Sequence, residues 1–369
     1  MTSPEPSSEP STRPSAGPLP RPSPWPSSEP SSGPSPRPAS GPSGAAAGLR
    51  IAVTGASGFC GGHVARAAAA AGARVVCVGR RPGPLGEHRF WDASLGEPDL
   101  SGTDLVVHCA AAVGDPAPGS PAEAVMRAVN VTGTERLLRA AGGRPVVWVS
   151  SASVYDPRHD RTLVREDHPR TGHLNAYGRT KAAGEALALA AGAVVLRPRA
   201  VYGPGDTQLL PRLLSRVRAG TLFLPGPDVP LSLTAVENLA AACLAAAPGW
   251  PPGAYNIADA RPYPRDAAVS AVLRAHGVRA RIRHLPPALA VTAARLAEAL
   301  SSGEPALSRY AVDQLAHPVV LDLTRARSQG WVPERNLADY LGSLPGTPDS
   351  GPFSRPDRSG RAPRPPRWR

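Results

Sequence analysis

The sequence predicts an α/β fold: a doubly wound parallel sheet with a smaller, irregular lobe in the C-terminal half. Three observations carry this. Short apolar runs alternate with Ala- and Leu-rich stretches from Leu49 onward, a glycine-rich turn follows the first run directly, and the rhythm breaks after Val201. The runs Ile51–Thr54, Arg74–Val78, Leu105–His108, Val146–Ser150 and Ala193–Leu196 are apolar enough to be strands buried on both faces. Helical patterns cover Gly62–Ala71, Pro121–Ala141 and Ala176–Ala191, with Pro121 suited to a first helical turn. Past Val201 the chain is punctuated at Gly203–Gly205, Pro225–Pro230, Pro248–Gly253 and Pro262–Pro264, which predicts excursions away from the sheet. The expected division is a sheet domain over 49–203 with a returning segment 231–258, and a lobe made of 204–230 and 259–345.

Both ends read differently. Residues 1–48 are almost wholly Pro, Ser, Gly, Ala, Glu and Arg, and repeat the hexapeptide Pro-Ser-Ser-Glu-Pro-Ser at Pro6–Ser11 and Pro26–Ser31. Such a segment buries too little apolar surface to offset its ordering entropy, so a disordered tail is expected there, and again over 346–369. The formal charge is +12, of which the last 24 residues, with six Arg and two Asp, hold +4. The remainder forms no long basic run and no nucleic-acid motif, so a solvated surface is the expectation and no specific nucleic-acid partner. Cys60, Cys77, Cys109 and Cys243 lack metal-ligand spacing and read as reduced, buried thiols of a cytoplasmic protein. No metal site and no membrane span are expected.

The glycine turn has chemistry. Thr54-Gly55-Ala56-Ser57-Gly58-Phe59-Cys60-Gly61 lies between a predicted strand and a predicted helix. Gly55 suits a tight turn, Gly58 lets the backbone approach a pyrophosphate, and Gly61 allows close helix–strand packing. A dinucleotide is therefore the expected cofactor. The second strand ends Val78-Gly79-Arg80-Arg81, with glycine where an acidic residue would bind a ribose 2′-hydroxyl and two arginines suited to a 2′-phosphate. That favours NADP over NAD.

One lysine stands among 40 arginines, and it is Lys181, four residues after Tyr177. On a helix this spacing puts both side chains on one face, about one turn apart. An ammonium there can lower a phenol's pKa and reach a cofactor ribose, which a guanidinium does less readily.

With these motifs in place, the chain from about Leu49 to Leu344 resembles an extended short-chain dehydrogenase/reductase, the Rossmann-type superfamily of NAD(P)-dependent epimerases, dehydratases and 3β-hydroxysteroid dehydrogenases. Asp92 after Phe90-Trp91 resembles the adenine-contacting Asp, and Asp104–Ala111 the fourth-strand motif beside the cofactor. Asn130-Val-Thr-Gly133-Thr134 resembles the helix whose Asn supports the active site. Val149-Ser150-Ser151-Ala-Ser153-Val-Tyr155 resembles the serine strand, and Leu196–Asp206 the segment that closes over the nicotinamide. Ser232–Ala240 and Gly330–Pro333 also have counterparts. The resemblance implies that Gly55, Ser57, Gly58, Phe59, Cys60, Gly61, Arg80, Arg81, Asp92, Ala93, Cys109, Ala110, Ala111, Asn130, Tyr177, Lys181, Pro198 and Arg199 bind the cofactor. It also implies a substrate-binding role for the lobe, and a homodimer paired through the helices at Pro121–Ala141 and Ala176–Ala191.

Tyr177 is the expected general acid/base, with Lys181 and the oxidised nicotinamide favouring its phenolate. Ser151, four residues before Tyr155, falls where the family's catalytic Ser or Thr lies; Ser150 and Ser153 compete for the role. His108, Trp148 and Trp331 read as structural, and Asp156, His159, Asp160, Glu166, Asp167 and His168 as a solvated loop. Three functions are weighed. The first is an oxidoreductase moving a hydride between a nicotinamide and a small-molecule secondary alcohol or ketone, like the 3β-hydroxysteroid dehydrogenases. The second is a nucleotide-sugar epimerase, and the third a non-catalytic dinucleotide-binding protein. Against the second, Ala152 and Ser153 replace the Asp-Glu pair of sugar-nucleotide dehydratases. Leu231 stands where many nucleotide-sugar members have a diphosphate-binding arginine; Arg212, Arg216 and Arg218 are the candidates to replace it.

Overall fold

The computed structural model describes residues 46–247, 249–301, 303–305 and 307–344. The expected tails lie almost wholly outside the described residues. The sheet domain begins slightly earlier than expected: Ala46 is already buried, and the Gly48 amide donates to the Gly72 carbonyl.

In order, the chain runs through β1 (Arg50–Thr54), α1 (Phe59–Ala70), β2 (Arg74–Gly79), β3 (Glu87–Phe90), β4 (Leu105–His108), α2 (Pro121–Arg127), α3 (Gly133–Ala141), β5 (Val146–Val149) and α4 (Ala176–Ala190). It continues with β6 (Val194–Pro198), β7 (Val201–Tyr202), α5 (Leu209–Leu214), β8 (Thr221–Pro225), β9 (Pro230–Leu231), β10 (Thr234–Ala235), α6 (Val236–Ala246) and β11 (Gly253–Ile257). The last part holds β12 (Tyr263–Pro264), α7 (Arg265–Ala275), β13 (Arg281–Leu285), α8 (Pro287–Leu300), α9 (Arg309–Ala316), α10 (Thr324–Arg327) and α11 (Leu337–Gly342).

Seven strands form one parallel sheet in the order β11-β6-β5-β4-β1-β2-β3. Strand side chains alternate between two helical layers, as the pleat requires. Ile51 and Val53 pack with Val64, Ala68, Leu239 and Cys243 of α1 and α6, whereas Ala52, Val106, Trp148 and Val195 pack with Leu137 and Ala188 of α3 and α4. Burying a side chain such as Leu239 contributes about 1.5–3 kcal/mol. The strand order turns back between β1 and β4, which opens a crevice at their C-terminal ends.

Five of these strands, β1, β2, β4, β5 and β6, are the apolar runs expected to form them. β3 is a polar edge strand, Glu-His-Arg-Phe, mostly exposed, so it has no apolar signature. β11 closes the other edge against β6, with Tyr255 opposite Leu196. The helix expected over Pro121–Ala141 holds a π-helical stretch, Ala128–Thr132, between α2 and α3. Outside the sheet, β8 pairs with β13, β9 with β12, and α8 packs on α9 through Ala290, Ala294 and Val312.

Candidate active site

The crevice is built first by the turn after β1. Gly55 has φ +68°, and a Cβ there would lie 2.8 Å from the backbone of Ala110, so the turn presses against the end of β4. A Cβ on Gly61 would lie 2.3 Å from the Gly55 carbonyl oxygen, so α1 packs directly on the turn. Gly58 precedes α1 and offers no capping side chain, which leaves the first-turn amides and the positive end of the helix dipole for an anion. These glycines form a cradle that side chains would fill, and the donor set fits a pyrophosphate. Ser57 and Phe59 lie on the same turn and helix start. Arg80 and Arg81 are exposed directly after β2. Asp92 is half-buried and accepts from the Ser94 amide and hydroxyl, which hold its carboxyl below the usual range, with Arg80 adding to the effect. Ala93 beside it is buried against Gly133.

Two brackets fix the opposite wall. The Thr54 hydroxyl bonds His108 Nδ1 at 2.7 Å and accepts from the Ala110 amide at 3.2 Å. His108 is fully buried between Trp91 and Trp148, and burial drives its pKa down to about 3, so it is a neutral structural group. Asn130, in the π-helical stretch, accepts from the Ala112 amide at 2.8 Å and donates to the Ala112 carbonyl and the Thr180 hydroxyl at 3.0 and 3.1 Å. Its amide is thereby engaged within the protein. Asn130 shapes the site by tying the Cys109–Ala112 segment to α4 rather than by offering a donor to a ligand. Gly184 makes that contact possible, since a Cβ there would meet the Asn130 carbonyl at 2.3 Å.

α4 carries Tyr177 and Lys181. Asn175 caps it by accepting from the Gly178 amide at 2.9 Å. Lys181 is buried; its Nζ donates to the Val149 carbonyl at 2.8 Å and lies 3.6 Å from the centre of the Trp148 ring. Burial lowers its pKa from 10.5 to about 7, with the Glu185 charge opposing the shift. Tyr177 behaves otherwise than expected from the spacing. Burial pushes its phenol above the usual range, Tyr310 and Cys60 add to the rise, and the Ser151 hydroxyl bonded to it opposes. With Nζ held against Val149 and Trp148, the resting phenol keeps its proton.

The three serines separate by environment. Ser150 is buried, and its hydroxyl donates to Glu185 Oε2 at 2.5 Å, which removes it from the cleft. Ser153 is buried in the short helical turn Ala152–Val154, its Oγ without a partner among the described residues. Ser151 is partly exposed, bonds Tyr177, and accepts from the Ser153 amide at 3.2 Å.

Sequence reasoning missed the brace beneath this site. Glu185, one turn beyond Lys181, has no exposed surface. It accepts from Arg197 Nη2 at 2.6 Å, Arg170 Nη1 at 2.7 Å and Ser150. Arg197 also donates to the Tyr155 hydroxyl at 2.9 Å and the Glu166 carbonyl at 2.8 Å, and Tyr155 donates to Asn256 at 2.5 Å. The signal was Arg197 itself, a charge inside the otherwise apolar β6, which demands a buried partner. The loop read as solvated needs correcting for the same reason. Asp156 is fully buried, held well below the usual carboxylate range by Arg158 with Thr171 assisting, and the Glu166 carboxylate accepts from the Asn256 amide at 2.9 Å. His168 is half-buried, and its Nε2 bonds the Asp156 carbonyl. His159, Asp160 and Asp167 are exposed as expected.

The cysteines are free, as expected, but the fold gathers three of them along the cleft. The neighbouring Cys243 thiol, with burial adding to it, holds the Cys109 pKa well above the usual thiol value, and burial raises Cys60 to about 12 with Cys109 adding to it. All are protonated. Among the described residues no group of His, Cys, Asp and Glu could hold a metal ion. No helix among them is long and apolar enough to cross a membrane.

Past β6, Pro198 is buried and Arg199 is 6% exposed. Arg199 Nη1 donates to the Ser232 carbonyl at 2.8 Å and Nη2 to the Gln314 carbonyl at 3.0 Å. Leu231 lies in the core, with Tyr263 opposite it. Of the arginines named as candidates to replace a diphosphate clamp, Arg212 pairs with Glu304 at 2.8 Å and Arg218 turns back onto the Ser215 and Val217 carbonyls.

The model of the NAD dependent epimerase/dehydratase family matches residues 51–258, more than half of the chain. The chain belongs to that family. It is an enzyme of oxidoreductase type that works with a nicotinamide dinucleotide. It is 31% identical over 334 residues to a 2-alkyl-3-oxoalkanoate reductase of Stenotrophomonas maltophilia, covering 80% of this chain and 98% of that protein. It is also 31% identical to the 4-hydroxy-2-methyl-3-oxo-4-farnesyl-3,4-dihydroquinoline-1-oxide ketoreductase of Stigmatella aurantiaca, covering 76% and 91%. Among solved structures it is similar to MoeE5 in complex with UDP-glucuronic acid and NAD, at 26% identity and TM-score 0.61, covering 80% of this chain and 97% of that one.

Proposed function

We propose that the protein catalyses hydride transfer between a nicotinamide and a secondary alcohol or ketone, and that it works as a ketone reductase. The observation that carries this is the hydroxyl of half-buried Tyr177 bonded to Ser151, with Lys181 one turn along the same helix and a setting that pushes the phenol's pKa up. A phenol in that state is set to donate a proton to a carbonyl oxygen as charge develops there. Ser151 holds the same oxygen and orients it toward Tyr177. Lys181 fixes the inner end of α4 against Val149 and lies one turn below Tyr177, where a ribose would be in reach. When bound, the nicotinamide supplies the hydride. Two relatives named as reductases of oxo compounds support the direction.

The Gly55–Gly61 turn would hold the pyrophosphate, and Asp92 and Ala93 would meet the adenine. Arg80 and Arg81 favour NADP over NAD, since no acidic side chain stands at Gly79 to repel a 2′-phosphate. The remaining proposals are a cytoplasmic location and a homodimer through the segments 121–141 and 176–191, where Val125 is 57% exposed. Light scattering that shows an active monomer would refute the dimer.

The second reading, a nucleotide-sugar epimerase, rests on the likeness to MoeE5. Buried Leu231 and the internal pairing of Arg212 speak against it. The deciding experiment is a panel of ketones and nucleotide sugars, each with NAD(H) and NADP(H), run with wild type and Tyr177→Phe. Net cofactor turnover on ketones, reduced about 10²–10⁴-fold in Tyr177→Phe with cofactor affinity retained, is expected. Sugar isomerisation without net cofactor turnover would establish the epimerase instead.

A further inference from the structure

We propose that Arg199 anchors a carboxylate of the substrate, so that the ketone reduced at Tyr177 is an oxo acid. This rests on the oxidoreductase reading above and replaces the cofactor role expected for Arg199. The guanidinium is buried, and its two bonds to the Ser232 and Gln314 carbonyls orient it without neutralising it. Nε is buried with no acceptor among the described residues. No carboxylate there forms an ion pair with it: Asp313, which lies within electrostatic reach, gives both oxygens to Arg161 at 2.7 and 2.8 Å. Arg197, two residues earlier and equally buried, makes the contrast, because Glu185 neutralises it. A buried cation is retained at a cost unless something pairs with it. For Arg199 the missing partner comes from outside the fold.

The position says where that partner sits. Gln314 lies one turn along α9 from Tyr310, and the Tyr310 phenol is an electrostatic neighbour of both Arg199 and Tyr177. The unpaired guanidinium and the proton-donating phenol therefore flank one residue, close enough for a short molecule with a carbonyl at one end and an anion at the other. The site suits a single negative charge. Arg199 brings one positive charge, with Nε–H and the second N–H of each Nη uncommitted. Arg161 is already paired, and Asp115, also within reach of Tyr310, has a buried Oδ2 without a partner among the described residues. A diphosphate would meet that acidic group with one cation to oppose it, where such ligands call for several. Burial lowers the Arg199 pKa to about 10, which leaves it cationic at neutral pH.

The test compares 3-oxooctanoate with methyl 3-oxooctanoate in the NADPH assay, using wild type, Arg199→Gln, Arg199→Lys and Tyr177→Phe. Wild type is expected to prefer the acid by at least about tenfold in kcat/KM. Arg199→Gln is expected to lower kcat/KM for the acid about 10²-fold and leave the ester nearly unchanged, with NADPH affinity and melting temperature held. Arg199→Lys keeps the charge and should retain part of the preference, which guards against a misfolded glutamine variant. Equal losses on acid and ester would make Arg199 a structural brace, and weakened NADPH binding would make it a cofactor contact. Either result overturns the proposal, as does a wild type that uses the ester as well as the acid. Full turnover of either compound by Tyr177→Phe would instead bring down the catalytic reading, whatever Arg199 does.

Discussion

Lys181→Met should stabilise the protein while disabling it. The ammonium sits against the Trp148 ring with one carbonyl partner, and its pKa falls from 10.5 to about 7. At pH 7 that displacement corresponds to about 4 kcal/mol of disfavoured charge relative to the unfolded chain. Methionine fills a similar volume without charge. It loses the bond to the Val149 carbonyl, about 1–2 kcal/mol, so the net gain is about 2–3 kcal/mol. For a folded part of this size that raises the melting temperature by about 3–4 °C. The pH dependence is the sharper signature. The folded protein binds the Lys181 proton only below about pH 7, whereas the unfolded chain keeps it up to 10.5. Wild-type stability therefore rises as pH climbs through that window, and the advantage of the mutant is full below pH 7 and fades toward pH 10.5. The assay is urea denaturation of cofactor-free protein between pH 6 and 9.5, with turnover measured in parallel. A mutant less stable than wild type at pH 7, or an advantage that does not change with pH, would refute the reasoning.

Glu185→Gln should lose about 3–5 kcal/mol in urea denaturation, because it leaves the buried Arg197 without its charge partner; a loss under about 1 kcal/mol would show the brace is not needed. Replacing Arg80 and Arg81 together by Ser should weaken NADPH about tenfold to a hundredfold and leave NADH unchanged, measured by nicotinamide fluorescence. Tighter NADH than NADPH binding in the wild type would mean that these arginines face solvent and nothing else.

What was legible from the sequence were the features with a local signature. β1, the Gly55–Gly61 turn and α1 announce themselves through burial on both faces and through backbone that tolerates no Cβ, and the expected α/β fold is the one observed. The four-residue step from Tyr177 to Lys181 puts both on α4. What stayed hidden depends on distant parts of the chain. Glu185, one turn beyond Lys181, carries no local signal of its own, yet it is buried and serves β6 and the loop before α4. β3 has no apolar alternation because an edge strand can leave both faces wet. The raised pKa of the Tyr177 phenol could not be read, since it follows from burial in the folded chain, with Tyr310, 133 positions further on, adding to it.

The brace has a bearing on how this protein can change. Glu185 and Asn130 lock α4 to β6 and to the end of β4, and neither bond involves the lobe. Arg199, by contrast, reaches the lobe through one bond to a main-chain carbonyl of α9, a contact that any side chain at position 314 would preserve. The brace beneath Tyr177 and Lys181 is thus insulated from sequence drift in α8 and α9, and Tyr310 is the position of α9 that acts on the Tyr177 phenol. A lineage could exchange one ligand for another by altering those two helices while the reacting end stayed fixed, and the same seam is where a designer would cut.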